Sequence, residues 1–362
     1  MNSPANLLVR AVASLLSVIV GLSLGLAVTA LAGESPWIVL KVLWNGAFGS
    51  PYDLGMTLFY VTPLIFTGLS VATGLRAGLF NIGAEGQLHI AAMGSALAGI
   101  VLKSTGDVSA LISIPVVALG GIVSAAFYAG IAGWMKAFKG SHEVITTIML
   151  NFIAAGVTSW VAVGGFRNPD SQNPETDSII ASAVIPHFDY FEGAPVSAML
   201  FVAVGTALVL TWVFRRTRFG FELQALGQNE EAAHTAGVRT RRLKLIAFLL
   251  AGALAAGAGV TEVMGNASRF RVGFSAEFGF VGIAVALLAR NHPVGVIFSA
   301  VLFGALHKGA TELDMETEHL TREIAWILQA LVIFSVAMSG AWTRGVQAAI
   351  EQIQRKLGGR RE

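Results

Sequence analysis

The sequence predicts an all-α integral membrane protein with about ten transmembrane helices. Three observations lead there. Of 362 residues, 54% are hydrophobic and only 13% are charged, about half the charged share of soluble domains, near 25%. Apolar stretches close to twenty residues long recur from one end of the chain to the other. The Lys and Arg residues collect in alternate connections, the asymmetry that sets membrane orientation. The 41 glycines fit close helix packing in lipid. A net charge of +2 is too small to point to nucleic acid, and the absence of cysteine excludes disulfides, thiolate metal sites and thiol nucleophiles.

A span needs about 20 mostly apolar residues. Ten stretches are read as spans: 7–32, 54–74, 82–102, 110–134, 144–164, 196–214, 245–264, 278–289, 294–309 and 324–340. In the first, Ala30-Leu31-Ala32 before Gly33 imitates a signal-peptidase site. A signal h-region is only about 7–15 residues, so this longer stretch is read as a retained span. The same span holds Gly21-Leu22-Ser23-Leu24-Gly25. That fits G-x-S-x-G, but without the strand-turn-helix context of a hydrolase elbow. Gly21 and Gly25 fit a G-x-x-x-G packing face better. Residues 36–50, with Trp37 and Trp44, are too short to cross and read as an interfacial or half-inserted helix. The eighth and ninth spans are short enough to be tilted or partly re-entrant. The whole is read as one transmembrane domain, 1–362.

With both termini in the cytoplasm, 17 of the 24 basic residues fall inside, and an even number of spans follows. Seven of them lie in 215–244, the longest markedly polar run, which is therefore read as a cytoplasmic loop. Within it the Ala-rich piece 223–236 favours helix, and Gly237 can supply a left-handed C-cap. A bland surface helix and a helix that docks a partner look alike at this level. The loop 165–195 faces the other side. Residues 166–195 hold five acidic residues, one Arg and four prolines, as suits either a solvated connector or a surface for an extracytoplasmic partner. The tail 341–362 is cytoplasmic in the same scheme and carries no usable motif.

One internal echo stands out. Phe80-Asn81-Ile82-Gly83-Ala84-Glu85-Gly86 opens the third span, and Val272-Gly273-Phe274-Ser275-Ala276-Glu277-Phe278-Gly279 opens the eighth. The two spans run in opposite senses, as paired helix breaks do in inverted-repeat transporters. The match is short, and chance is the competing explanation.

Ionisable groups at membrane depth cost roughly 2.5–3.5 kcal/mol or more and tend to be functional. Asn81, Glu85, Gln87 and His89 cluster at the third span, where Gly83 and Gly86 free backbone groups for a ligand. Asn151 lies in the fifth span, Glu262 and Asn266 end the seventh, and Glu277 opens the eighth. Phe270 and Phe274 could supply apolar faces. The competing reading is that these groups cap helices or bond between them, and it is favoured for His142 and Glu143 at a span edge. The seven histidines show no metal-ligand spacing. No catalytic set, metal site or cofactor site is expected. No G-x-x-x-x-G-K-[ST] occurs, so any ATP hydrolysis belongs to another chain.

The motifs GLRAGLFNIGAEGQLHIAAMG (74–94), HEVITTIMLNFIA (142–154), ALGQNEEAAHTAGV (225–238) and AEFGFVGIAVALLARNHPVG (276–295) resemble the ABC-importer permeases of the branched-chain amino acid and ribose type. The first two resemble the branch serving nucleosides. The resemblance implies an ABC importer permease fold of about ten spans with an inverted pseudo-repeat. It implies that Asn229, Glu230, Glu231, Ala232, Ala233 and Gly237 belong to a coupling helix seated in an ATP-binding subunit. It implies that the region of Asn81, Glu85, Gln87 and His89 and that of Glu277 line the substrate path, to which Asn151, Asn266, Phe270 and Phe274 are added as hydrogen-bonding and apolar groups. Expected partners are ATP-binding subunits, an identical or related second permease, an extracytoplasmic solute-binding protein, a small-molecule solute and membrane lipid. The expected location is the inner membrane. An ion-coupled secondary transporter using Glu85 and Glu277 remains an alternative, as does a permease for ribose-like sugars or branched-chain amino acids. A membrane-embedded enzyme has no coherent residue set behind it.

Overall fold

A computed structural model describes residues 4–317, 320–321 and 324–338. The tail 341–362, Arg322 and the last residues of the tenth expected span lie outside them. All fourteen α-helices below fall among the described residues: α1 (Pro4–Leu31), α2 (Pro36–Phe48), α3 (Pro51–Arg76), α4 (Ala84–Ser104), α5 (Ala110–Lys139), α6 (Glu143–Val163), α7 (Met199–Arg216), α8 (Arg218–Gln228), α9 (Glu230–Thr235), α10 (Thr240–Glu262), α11 (Phe278–Leu288), α12 (Pro293–Thr311), α13 (Leu313–Glu316) and α14 (Ile324–Ala337). Each of the ten apolar stretches becomes a helix. Six helices are long and apolar enough to cross a membrane alone, and α1 with α2 forms a pair bent by 120° that passes as one further span. The departure from ten is physical. The first turn of α4 is polar, while α11 and the described part of α14 are short.

The chain divides into two compact units, residues 1–49 with 305–362, and residues 50–304. In the first, α14 packs against α1 through the G-x-x-x-G face. A Cβ on Gly21 would lie 2.6 Å from Val332 Cα, and one on Gly25 would lie 2.2 Å from Leu328 Cδ2. Those glycines therefore serve helix packing, not a nucleophile elbow.

In the second unit, α3, α4, α5 and α10 form a core of small residues. Ala91, Ala125 and Ala256 pack together at its centre. A Cβ at Gly252 would meet Ala125 O at 2.5 Å, and one at Gly259 would meet Leu88 O at 2.3 Å. Backbones this close suit a membrane, where packing replaces the hydrophobic drive between helices. Several large apolar side chains point the other way: Phe127, Phe152, Trp160 and Trp212 are exposed, the outward face a lipid environment favours.

Two helices begin inside the unit. After α3 ends at Arg76, residues 77–83 fold back, with Leu79 N–H donating to Gly74 O at 2.9 Å. Asn81 thereby reaches Ser70 Oγ at 3.4 Å, so α4 starts about 9 Å inside the end of α3, at 1.5 Å per residue. On the other side, α10 runs into a π-helix (Val263–Ala267), then irregular chain with Ser268 and Glu277 left-handed at φ 57° and 58°. There α11 begins. Phe278 lies 6.3 Å from the Tyr60 ring, and Gly282 fits against Thr67, so α11 follows the second half of α3 in the same direction. Its 11 residues rise about 16 Å, half of a hydrocarbon core of about 30 Å.

The connection after α6 is partly fastened down. Thr176 N–H donates to Phe270 O at 3.0 Å, Ile179 N–H to Ser268 O at 2.8 Å, and Ile185 N–H to Met264 O at 2.7 Å. Arg269 pairs with Glu175 at 2.8 Å. Ile179, Ile180 and Ala183 are buried. Lys103 meets Asp177 at 2.9 Å. That hydrogen bond, with help from the Ser178 N–H, holds the Asp177 carboxyl below the usual carboxylate range despite partial burial.

The helix expected over 223–236 is instead two. Asn229 is extended at φ −159°, and its side chain caps α9 by accepting from Ala232 N–H at 2.9 Å. An Asn that can cap competes with helix continuation, and here the cap wins. Gly237 is left-handed at φ 87°, as expected.

Candidate functional site

The two echoed motifs meet. Glu85 stands in the first turn of α4 and Gly279 in the first turn of α11. Gly279 N–H donates to Glu85 Oε2 at 2.7 Å. The first N–H groups of a helix have no partner within it, and here the other half-helix supplies one. A Cβ on Gly279 would lie 2.2 Å from Glu85 N and 2.5 Å from Glu85 Cα, so only glycine permits this approach. The carboxylate sits between the positive ends of two helices, where negative charge is favourable.

One turn further, His89 Nε2 lies 3.4 Å from Glu85 Oε1. The imidazole centroid is 5.0 Å from Phe274 and 6.4 Å from Phe270, and the two phenyl rings are 5.9 Å apart. His89 Nδ1 is buried without a hydrogen-bond partner. This aromatic corner thus holds one polar atom without a hydrogen-bond partner.

Asn81 and Gln87 are spent on each other. Asn81 Nδ2 donates to Gln87 Oε1 at 3.1 Å and Gln87 Nε2 to Asn81 Oδ1 at 3.0 Å, with both residues buried. Asn151 pins α6 to the start of α4. It accepts from Gly86 N–H at 2.8 Å and donates to Ile82 O at 3.0 Å. These amides fix where α4 begins, and breaking one would strand a buried polar group at about 1–3 kcal/mol.

Around the second break, Glu262 is buried with both oxygens satisfied. Arg271 reaches Oε1 at 2.6 Å and Asn266 Nδ2 donates to Oε2 at 2.8 Å. Glu277 is exposed and holds an αL conformation that non-glycine residues rarely adopt. At the span edge, Glu143 pairs with Lys136 at 2.7 Å.

The residues expected to couple lie in the α8–α9 region. Glu231 and Ala232 are exposed, whereas Ala233 is 4% exposed. Of the two alanines, Ala232 faces outward and Ala233 seats the helix. Glu230 reaches back to Lys244 at 2.6 Å. A cavity of ≈ 190 Å³ beside them is lined by Ala77, Gly78, Leu79, Lys136, Gly227 and Asn229, among others.

Three contributors escaped the sequence reading: Gly279, Arg271 and Arg76. Arg76 Nε donates to Asn291 O at 2.8 Å and its guanidinium lies 4.7 Å from the Phe214 ring. Gly279 had a visible sign, its place just after the second Ala-Glu pair. A basic residue closing a buried helix was the only sign for Arg76.

Comparison with known proteins agrees with this architecture. Residues 54–337 match the family model for the permease component of branched-chain amino acid transport systems. A glucose ABC transporter permease of Haloferax volcanii is 33% identical, over 91% of this chain and 87% of that protein. A nucleoside ABC transporter permease of Lactococcus lactis subsp. cremoris is 33% identical over 90% of each. A guanosine ABC transporter permease of Bacillus subtilis is 33% identical over 90% of this chain and 93% of the relative. The chain belongs to the family of branched-chain amino acid transport system permease components.

Proposed function

We propose that the chain is the membrane-spanning subunit of an ATP-driven importer for nucleosides. A separate ATP-binding subunit docks on α9 through Glu231, Ala232 and its neighbours, on the cytoplasmic side. A solute-binding protein delivers its cargo at the 165–195 loop on the opposite side. A second permease chain, identical or related, completes the pathway in the inner membrane, with both termini of this chain cytoplasmic.

The observation that carries this reading is the junction of Glu85 with Gly279, where two helices begin at the same depth. Discontinuous helices meeting within the membrane are how transporters of inverted-repeat design form their central passage. His89, Phe274, Asn266 and Glu277 are assigned to that passage. Asn81, Gln87 and Asn151 hold its shape, with Glu85 tying the two starts together.

A nucleoside is a flat, mostly uncharged ring bearing a hydroxyl-rich sugar. Aromatic faces and hydrogen-bonding side chains suit it, and the His89–Phe274 corner offers both. An amino-acid solute would need partners for an ammonium and a carboxylate at once. The nucleoside and guanosine permeases among the relatives support the first choice, and the glucose permease keeps simple sugars as the second reading. The test is competition. Uptake of labelled guanosine or uridine by cells expressing the whole system should fall with excess unlabelled nucleoside and not with glucose, ribose or leucine. Displacement by a sugar alone would replace the solute assignment.

A further inference from the structure

The two oxygens of Glu85 have different tasks. Gly279 N–H occupies Oε2 at 2.7 Å, while Oε1 faces His89 Nε2 at 3.4 Å. A carboxylate beside Nε2 favours a proton on that nitrogen, because a lone pair there would be repelled. In the neutral imidazole the other nitrogen is then a bare acceptor. That nitrogen, Nδ1, is buried and has no hydrogen-bond partner among the described residues. The carboxylate therefore prepares an acceptor on the opposite edge of the ring, and the chain itself leaves it unused.

The walls beside the imidazole are apolar. The Phe274 ring centroid lies 5.0 Å from that of His89, and the Phe270 centroid 6.4 Å from it. Phe270 is fixed by its backbone: its N–H donates to Thr176 Oγ1 at 3.1 Å, and its carbonyl accepts from Thr176 N–H at 3.0 Å. Phe274 is only partly buried and follows left-handed Gly273 on irregular chain. One wall is held firmly and the other is less constrained. Two phenyl faces beside one acceptor fit a flat heteroaromatic ring with an N–H at its edge. A hydroxyl-rich sugar gains little from such faces.

We propose that His89 Nδ1 accepts a hydrogen bond from the ring N–H of an oxo-substituted base. The passage thereby favours nucleosides of guanine, hypoxanthine or uracil over those whose base has no such proton. This rests on the proposed nucleoside solute and deepens it, because it names the atom that reads the base.

The experiment measures uptake of inosine, 1-methylinosine and purine riboside by proteoliposomes carrying the complete complex, with the binding protein saturated by each solute. Inosine carries one ring N–H on its base. The methylated analogue keeps the oxo group and loses that proton, and purine riboside lacks both. Wild type should move inosine about tenfold faster than either analogue, the scale of an orphaned buried acceptor. His89→Phe should erase that preference, since it fills the corner without an acceptor. His89→Asn should keep most of it, because the amide oxygen falls near the place of Nδ1. Comparing ratios between variants cancels the binding protein's own preference. A ratio unchanged in His89→Phe overturns the proposal. So does 1-methylinosine moved as fast as inosine by wild type, which would make the oxo group the recognised one. If His89→Phe does not assemble, His89→Leu takes its place under the same criterion. Failure of the wild type to move any of the three would instead overturn the nucleoside assignment.

Discussion

Glu85 and Gly279 lie 194 positions apart in the chain and share one hydrogen bond, 2.7 Å from Gly279 N–H to Glu85 Oε2. Each residue belongs to the first turn of a helix that begins within the bundle. The bond therefore joins two helix starts, and the Cβ that Gly279 lacks is what allows them to touch.

Removing the acceptor should be costly. Glu85→Ala strands the Gly279 N–H and leaves a void between the helix starts, a loss of about 1–3 kcal/mol for the orphaned donor alone. Glu85→Gln keeps an acceptor oxygen and the volume but removes the charge between two positive helix ends, an effect of about 0.3–1 kcal/mol per end. Uptake should be lost in the alanine variant and reduced in the glutamine variant. Thermal unfolding of the purified complex should rank them in the same order. Equal uptake in all three proteins would remove Glu85 from the mechanism.

The two alanines of α9 should separate docking from folding. Ala232 is exposed, so Ala232→Arg should leave the chain folded while its bulk and charge abolish co-purification with the ATP-binding subunit. Ala233 is buried, so Ala233→Arg should destabilise the chain itself, by about 1–3 kcal/mol from overpacking before the buried charge is counted. Membrane abundance against subunit capture distinguishes them. Capture that survives Ala232→Arg speaks against docking at this helix.

His292 gives the assembly a pH dependence of known sign. Burial, and then the positive charges of Arg215 and Arg76, lower its pKa from the ordinary 6.5. The folded form thus prefers a neutral imidazole, whose Nε2 accepts from Arg215. Its stabilisation is complete above the unfolded value and is lost as pH falls through the depressed folded value. Melting temperatures measured from pH 8 down to pH 5 should drop more steeply for wild type than for His292→Gln. Parallel curves would show that His292 contributes nothing to that drop.

The sequence made the spans readable because each is a long apolar run, and among the described residues all ten expected stretches contain a helix. Even the re-entrant breaks left a trace, as Gly and Ala-Glu pairs at two span starts. Most of what escaped reading has no local sign. The fastening of 174–185 onto 264–272 uses backbone hydrogen bonds between distant segments, which no side-chain pattern announces. The division at Asn229 was closer to the surface of the sequence. An Asn followed by two Glu in a first turn is a helix start, and the alanines after it made one long helix look more natural. Asn81, Gln87 and Asn151 appeared as free polar groups because the sequence shows donors and acceptors without showing that they find one another.

The proposed permease moves solute only when a separate ATP-binding subunit works on it. The direct measurement is accumulation of labelled guanosine by proteoliposomes containing the complete complex, with the binding protein on one side and ATP on the other. Accumulation should require ATP, cease when the ATP-binding subunit is omitted, and persist when ionophores collapse every ion gradient. Accumulation driven by an ion gradient through this chain alone, without ATP, would contradict the account and restore a secondary transporter using Glu85 and Glu277.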